Sequence, residues 1–137
     1  MAANGFIRCI PEILHQEGGY SNNKKDSGGA TNLGVTQGEL AVWCKRTGRT
    51  VFDVRNLTLE LAKEIYRADY WNAAGCEQIP EGLDLAVFDC AVNNGVRRAV
   101  EFLHDVSTGK NANLSTAERI VAFDRLRVDE RAIRVEI

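Results

Sequence analysis

Apolar residues in this chain recur mostly at spacings of three and four, the period of a helix with one buried face. Phe6, Ile7, Ile10, Ile13 and Leu14 form the first such stripe and predict a helix from about Asn4 to Gln16. Pro11 falls inside it. Without a backbone donor, Pro11 is expected to kink or restart the helix, which Gly18-Gly19 then ends. Residues 20–36 break the pattern: around "DSGGATNLG" they are rich in turn formers and predict one or two short strands, a hairpin with tight turns. Gly28, Gly29 and Gly34 are expected to take backbone angles closed to other residues.

Helical spacing then resumes. Thr36 and Glu39 fit a capping box that opens a second helix; it buries Leu40, Trp43 and Cys44 and stops at Gly48. A third starts near Thr58, keeps Leu61, Ala62, Ile65, Tyr66 and Tyr70 in register, and ends near Trp71 and Asn72. The stretch "GLDLAVFDCAVNNG" leaves almost no polar face. A helix apolar nearly all round is a buried one, so this segment is the expected hub, closed by Asn94-Gly95. A fifth helix from Val96 to about Val106 turns Ala99, Val100 and Leu103 inward. The last opens at a second capping box, Ser115 and Glu118, and runs through Ile120, Val121 and Leu126. The predicted class is mainly α: about six helices around a buried central helix, with a small β-hairpin after the first. No capping signal follows Val135 and Ile137, so the expectation is one domain over 1–137, cut short inside a longer helical region.

The chain has 137 residues, enough to bury a core without metals or disulfides. Its formal net charge of −2 gives no electrostatic reason to expect nucleic acid or an anionic membrane as partner. It gives no general attraction to an anionic cell wall either, so a wall substrate must be gripped locally. No apolar run approaches the roughly 20 residues of a membrane span, so no membrane insertion is expected. The start "MAANGFIRCIPEILHQEGG" has no long apolar run of the signal-peptide kind. The protein is expected to be made in the cytoplasm, and work outside it requires another component to carry or release it. Cys9, Cys44, Cys76 and Cys90 lack Cys-x-x-Cys spacing and lie in or beside apolar helical patterns. They read as buried free thiols, with disulfides left open by the sequence. His15 and His104 are the only histidines and lie far apart, so neither a metal nor another cofactor is expected.

One carboxylate stands out. Glu17 falls at the C-terminal end of the first predicted helix, where the negative end of the helix dipole disfavours its charge, as suits a general acid at neutral pH. Asp26 follows nine residues later and Thr31 five after that, across a hairpin that can return both to one cleft wall. Two carboxylates flanking a glycosidic bond are the minimal machinery of most glycoside hydrolases. One protonates the leaving oxygen; the other activates water or stabilises the oxocarbenium-like transition state. Thr31 or Thr36 could position the water. A solvated Glu17 and a plain Asx-type turn at Asp26 are the bland alternatives. Tyr20, Tyr70 and Trp71 offer aromatic faces for a saccharide, and equally suit an anchor or a core. Asp89 and Asn93 are four apart on one face of the central helix. They are expected to give structural support through hydrogen bonds to the cleft-forming loop or a helix end.

The stretch "HQEGGYSNNKKDSGGATNLGVT" resembles the signature of glycoside hydrolase family 108, the bacterial and phage N-acetylmuramidases. The matching positions are His15, Glu17, Gly18, Gly19 and Tyr20, then Asp26, Gly28, Gly29 and Thr31, then Gly34, Val35 and Thr36. "YRADYWNAAGCEQIP" and "GLDLAVFDCAVNNG" continue the likeness to about Leu103. The resemblance implies a lysozyme-like α+β fold and cleavage of the β-1,4 bond after N-acetylmuramic acid in peptidoglycan, and it places the catalytic glutamate at Glu17. The Glu17–Asp26 spacing is also similar to that of phage lysozymes, where Glu, Asp and Thr line the cleft, which adds Asp26 and Thr31 as catalytic partners. The implied partner is a peptidoglycan glycan strand in the periplasm or cell wall, reached with the help of a holin or a secretion system. Family members often carry a peptidoglycan-binding segment after the catalytic part, and here that segment is expected to be missing or cut short. Two other readings stay open: a lytic transglycosylase using Glu17 as acid and then base, and a non-catalytic glycan-binding or assembly protein on the same scaffold.

Overall fold

The computed structural model describes residues 4–22 and 29–136, with side chains as far as residue 129. Among these residues the chain forms six α-helices and one small antiparallel sheet: α1 (Gly5–Glu17), β1 (Thr31–Asn32), β2 (Val35–Thr36), α2 (Gln37–Arg46), α3 (Leu59–Tyr66), α4 (Leu83–Asn94), α5 (Val96–Asp105) and α6 (Thr116–Glu136). This is the mainly α, lysozyme-like class, with its hairpin after the first helix. A π-helical segment, Arg67–Asn72, follows α3 directly. Contacts divide the chain into two compact units, residues 10–66 and residues 1–9 with 67–137.

Local signals account for most boundaries. Thr36 caps α2, its hydroxyl accepting from the Glu39 N–H at 3.0 Å. Thr58 does the same for α3 through Leu61 N–H at 3.2 Å. Ser115 and Glu118 exchange bonds of 3.1 and 3.2 Å, a full capping box at the start of α6. Pro11 does not restart α1, which runs unbroken through it. Its ring is exposed, and so is Ile7, four residues earlier, whose carbonyl loses its partner. On that face water can serve the orphan oxygen.

In the unit of residues 10–66 the core gathers Ile13, Val35, Leu40, Cys44, Val54, Ala62, Ile65 and Tyr66, each 0–1% exposed. In the other unit α4 packs against α5, α6 and the π-helical segment, the hub its composition requires. Trp71 is fully buried, with ring centroids 5.2 Å from Phe88 and 5.9 Å from Phe6. Its indole N–H donates to Glu77 at 3.0 Å. On α6 the inward residue is Phe123, fully buried against Phe102, while Val121 faces solvent. Val100 of α5 is likewise exposed rather than inward.

One polar side chain described in this unit is completely buried: Asp84, in the first turn of α4. It accepts from the Gly82 and Leu85 N–H groups at 3.0 and 2.7 Å and from the Arg8 guanidinium. The helix N-terminus and a cation thus balance the desolvated charge. The Cys9 thiol lies 3.8 Å from Asp84. Burial first, and the Asp84 charge second, push Cys9 up to about 11 and Cys76 up to about 12, from an ordinary 9.0.

All four cysteines are free and buried. At pH 8 the native protein should therefore leave a thiol reagent almost unconsumed, and the unfolded protein should consume four equivalents. Because folding raises the Cys9 and Cys76 values, their contribution to stability is intact below pH 9 and is lost as the pH climbs towards 11 to 12. Denaturant midpoints measured across pH 8–11 should fall accordingly; a midpoint that stays level throughout contradicts this reading.

Candidate active site

The unit of residues 10–66 holds Glu17, Tyr20, Thr31 and Thr36. Glu17 is the last residue of α1. Gly18, at φ 74°, turns the chain out of the helix while its N–H still reaches the Leu14 carbonyl at 3.2 Å. Three residues on, Ser21 pairs with Thr31, the two exchanging backbone bonds of 2.8 and 2.7 Å. Thr31 pairs in turn with Thr36 across the hairpin. Residues directly opposite one another share a face of the sheet, so Ser21, Thr31 and Thr36 line one side. Asn32 and Val35 take the other. Val35 enters the core, and the Asn32 amide donates to the carbonyls of Val54 and Arg55 at 3.1 and 3.2 Å.

The hairpin turn is Leu33-Gly34, with φ of 54° and 80°. Positive φ at both central residues matches the twist of two short strands. For Leu33 the conformation is unfavourable by about 1–2 kcal/mol. Its carbonyl accepts from the buried Tyr66 hydroxyl at 2.6 Å, which holds the turn in place. Gly34 leaves no room for a side chain. A Cβ there would meet the Tyr66 hydroxyl and would lie 2.8 and 2.9 Å from Cβ and Cγ of Glu17. The stem of Glu17 therefore rests on the backbone of the turn, and the half-buried residue keeps part of its surface open. The stem of Glu17 is thus held from two sides, by its own helix and by a pinned turn.

Tyr20 is 40% exposed. The Arg55 guanidinium lies over its ring, 5.0 Å from the centroid, and donates to its hydroxyl at 3.3 Å. That bond raises the Arg55 pKa above its ordinary value. The Thr36 hydroxyl is engaged in the cap of α2, donating to the Glu39 carboxylate at 3.3 Å as well as accepting from its N–H. Thr31 is half-buried at the middle of the row. Asp26 and Gly28 lie outside the described residues.

The remaining predicted residues belong to the other unit. Tyr70 is half-buried on the π-helical segment. Trp71 belongs to the core: a fully enclosed ring has no face to give a sugar, which corrects its expected place in a groove. Asp89 accepts from Asn93 at 3.1 Å and from Arg127 at 3.0 Å, and Arg127 also donates to Asn94 at 3.0 Å. This network ties the end of α4 to α6, the helix-end form of the expected hydrogen bonding.

Four contributors escaped the pattern of the sequence: Tyr66, Asn32, Arg55 and the strained Leu33. A tyrosine within an apolar helix stripe was the one available signal, because a buried phenol needs a hydrogen-bond partner. Among the described residues no three His, Cys, Asp or Glu side chains gather to hold a metal. No described helix is long and apolar enough to cross a membrane.

The family model for glycosyl hydrolase 108 matches residues 10–95. Among solved structures, the chain is similar to Brucella abortus SagA, with 35% identity and a TM-score of 0.67, over 89% of this chain and 70% of that one. No curated protein matches.

Proposed function

The chain belongs to the glycosyl hydrolase 108 family, and from that premise we propose that it is an N-acetylmuramidase acting on peptidoglycan. The observation that carries the reading is the packing of Glu17, at the end of α1, against the Leu33-Gly34 turn that Tyr66 pins. The family match spans the whole segment from Glu17 to Thr36, which supports the assignment.

In this mechanism the Glu17 carboxyl gives its proton to the glycosidic oxygen between N-acetylmuramic acid and N-acetylglucosamine. The bond from the anomeric carbon to that oxygen breaks, N-acetylglucosamine leaves with the proton on its oxygen, and positive charge develops on the N-acetylmuramic acid ring that keeps the anomeric carbon. Asp26 is the second carboxylate, which either stabilises that charge or serves as base for water. A water molecule, oriented by Thr31, adds to the anomeric carbon and passes its proton to a carboxylate, completing hydrolysis. Tyr20 contributes its open ring face to the saccharide.

Incubation with purified peptidoglycan, followed by mass spectrometry of the soluble fragments, tests this. Muropeptides with reducing N-acetylmuramic acid ends are expected. Fragments with 1,6-anhydro ends would make the protein a lytic transglycosylase, and binding with no release of fragments would make it a glycan-binding protein.

A further inference from the structure

The geometry points to Arg55, held over Tyr20, as a subsite for a carboxylate carried on the muramic acid residues of the glycan. This deepens the muramidase reading and rests on it. The turn that presents Arg55 is fixed by three independent contacts. Asp53 accepts from the Arg55 N–H at 2.8 Å, Asn32 of β1 donates to the Val54 and Arg55 carbonyls, and Val54 is fully buried. The backbone of Arg55 is therefore tied to the same hairpin whose turn supports Glu17. Its guanidinium is laid against Tyr20, three residues after Glu17 and so within roughly 11 Å of it along the chain.

The Tyr20 hydroxyl takes one N–H of the guanidinium, a planar group of five donors that can offer a carboxylate two parallel bonds. Among the described residues no carboxylate stands within ion-pair distance of this guanidinium. Arg55 and its hydrogen-bonded neighbours thus form an organised cation in the same unit as Glu17. In a chain of net charge −2, it supplies the local grip that the overall charge does not. Two groups on the substrate offer the matching charge: the carboxylates of the stem peptide, and the lactyl carboxylate exposed where the peptide has been removed.

The test measures binding to insoluble peptidoglycan by co-sedimentation, in the Glu17→Gln background so that the polymer is not consumed. A parallel series measures KM and kcat with Glu17 intact. Arg55→Ala should weaken binding to intact wall about three- to tenfold and raise KM by a similar factor, with kcat little changed. Arg55→Lys should recover part of the loss. On wall whose carboxylates have been amidated by carbodiimide and ammonia, proteins with and without the Arg55→Ala substitution should bind alike. On amidase-stripped strands, a persistent difference identifies the lactyl carboxylate and a vanished one identifies the stem peptide; either supports the subsite. Equal binding of the two proteins to intact wall overturns it, as does an equal loss on intact and amidated wall. If wall is hydrolysed normally and only these comparisons fail, the subsite alone is wrong. If no wall preparation is bound or cleaved at all, the muramidase reading fails with it.

Discussion

Glu17→Gln is expected to lower turnover of purified peptidoglycan by about a hundred- to ten-thousandfold, with the thermal midpoint changed by no more than about 2 °C. The reasoning separates shape from chemistry. Glutamine has nearly the same size and stem, so the contact of Cβ and Cγ with the backbone of Gly34 survives. The amide cannot donate a proton of useful acidity to a leaving oxygen. A stability change of the size produced by lost packing would mean that the carboxylate itself was holding the turn. Turnover by release of soluble muropeptides, paired with a circular-dichroism melt of the same preparation, distinguishes the two.

Gly34→Ala is the second large effect, and it replaces no ionisable group. At φ 80° an alanine is strained by about 1–2 kcal/mol. Its methyl group would also be driven into the buried Tyr66 hydroxyl and the Glu17 stem. Overpacking of this kind costs typically 1–3 kcal/mol, so a loss of about 2–4 kcal/mol in unfolding free energy is expected. Where the fold survives, the hairpin and Glu17 must separate. Displacement of a catalytic group by about 1 Å can cost a hundredfold in rate. Denaturant unfolding and the turnover assay read the two losses. An alanine variant with wild-type stability and rate contradicts the packing of Glu17 against the turn.

Much of the helical framework was legible because its signals are local. The capping pairs at Thr36 and Ser115, and glycines such as Gly18, Gly48 and Gly95, mark boundaries by side chains that act within a few residues. The hub at Leu83–Asn94 could be read from composition alone, since a helix without a polar face has to be enclosed. Tertiary choices were not legible. Period alone could not decide that Phe123, rather than Val121, turns inward on α6, or that Val100 faces solvent. Nor could it reveal a buried carboxylate at Asp84, which depends on Arg8 arriving from 76 positions away.

The candidate site shows the same division. Glu17 and Gly34 were readable from a helix end and a turn. Their contact was not, because it requires Tyr66 from a later helix to pin the turn between them. Tyr20 was singled out for its aromatic face, whereas Arg55, 35 residues away, joins it only through the anchoring of a short turn by Asn32. Trp71 was left between groove and core for a related reason: an aromatic residue at a helix end has the same composition in either place. Here Phe6 and Phe88 enclose it.

The role of Glu17 is tested most directly by digesting purified peptidoglycan in ¹⁸O-labelled water with the wild-type protein and with Glu17→Gln, and reading the fragments by mass spectrometry. Wild type should release muropeptides carrying one labelled oxygen at a new reducing N-acetylmuramic acid end, and the folded variant should release almost none. Equal yields of labelled fragments from both proteins would show that the proton comes from elsewhere.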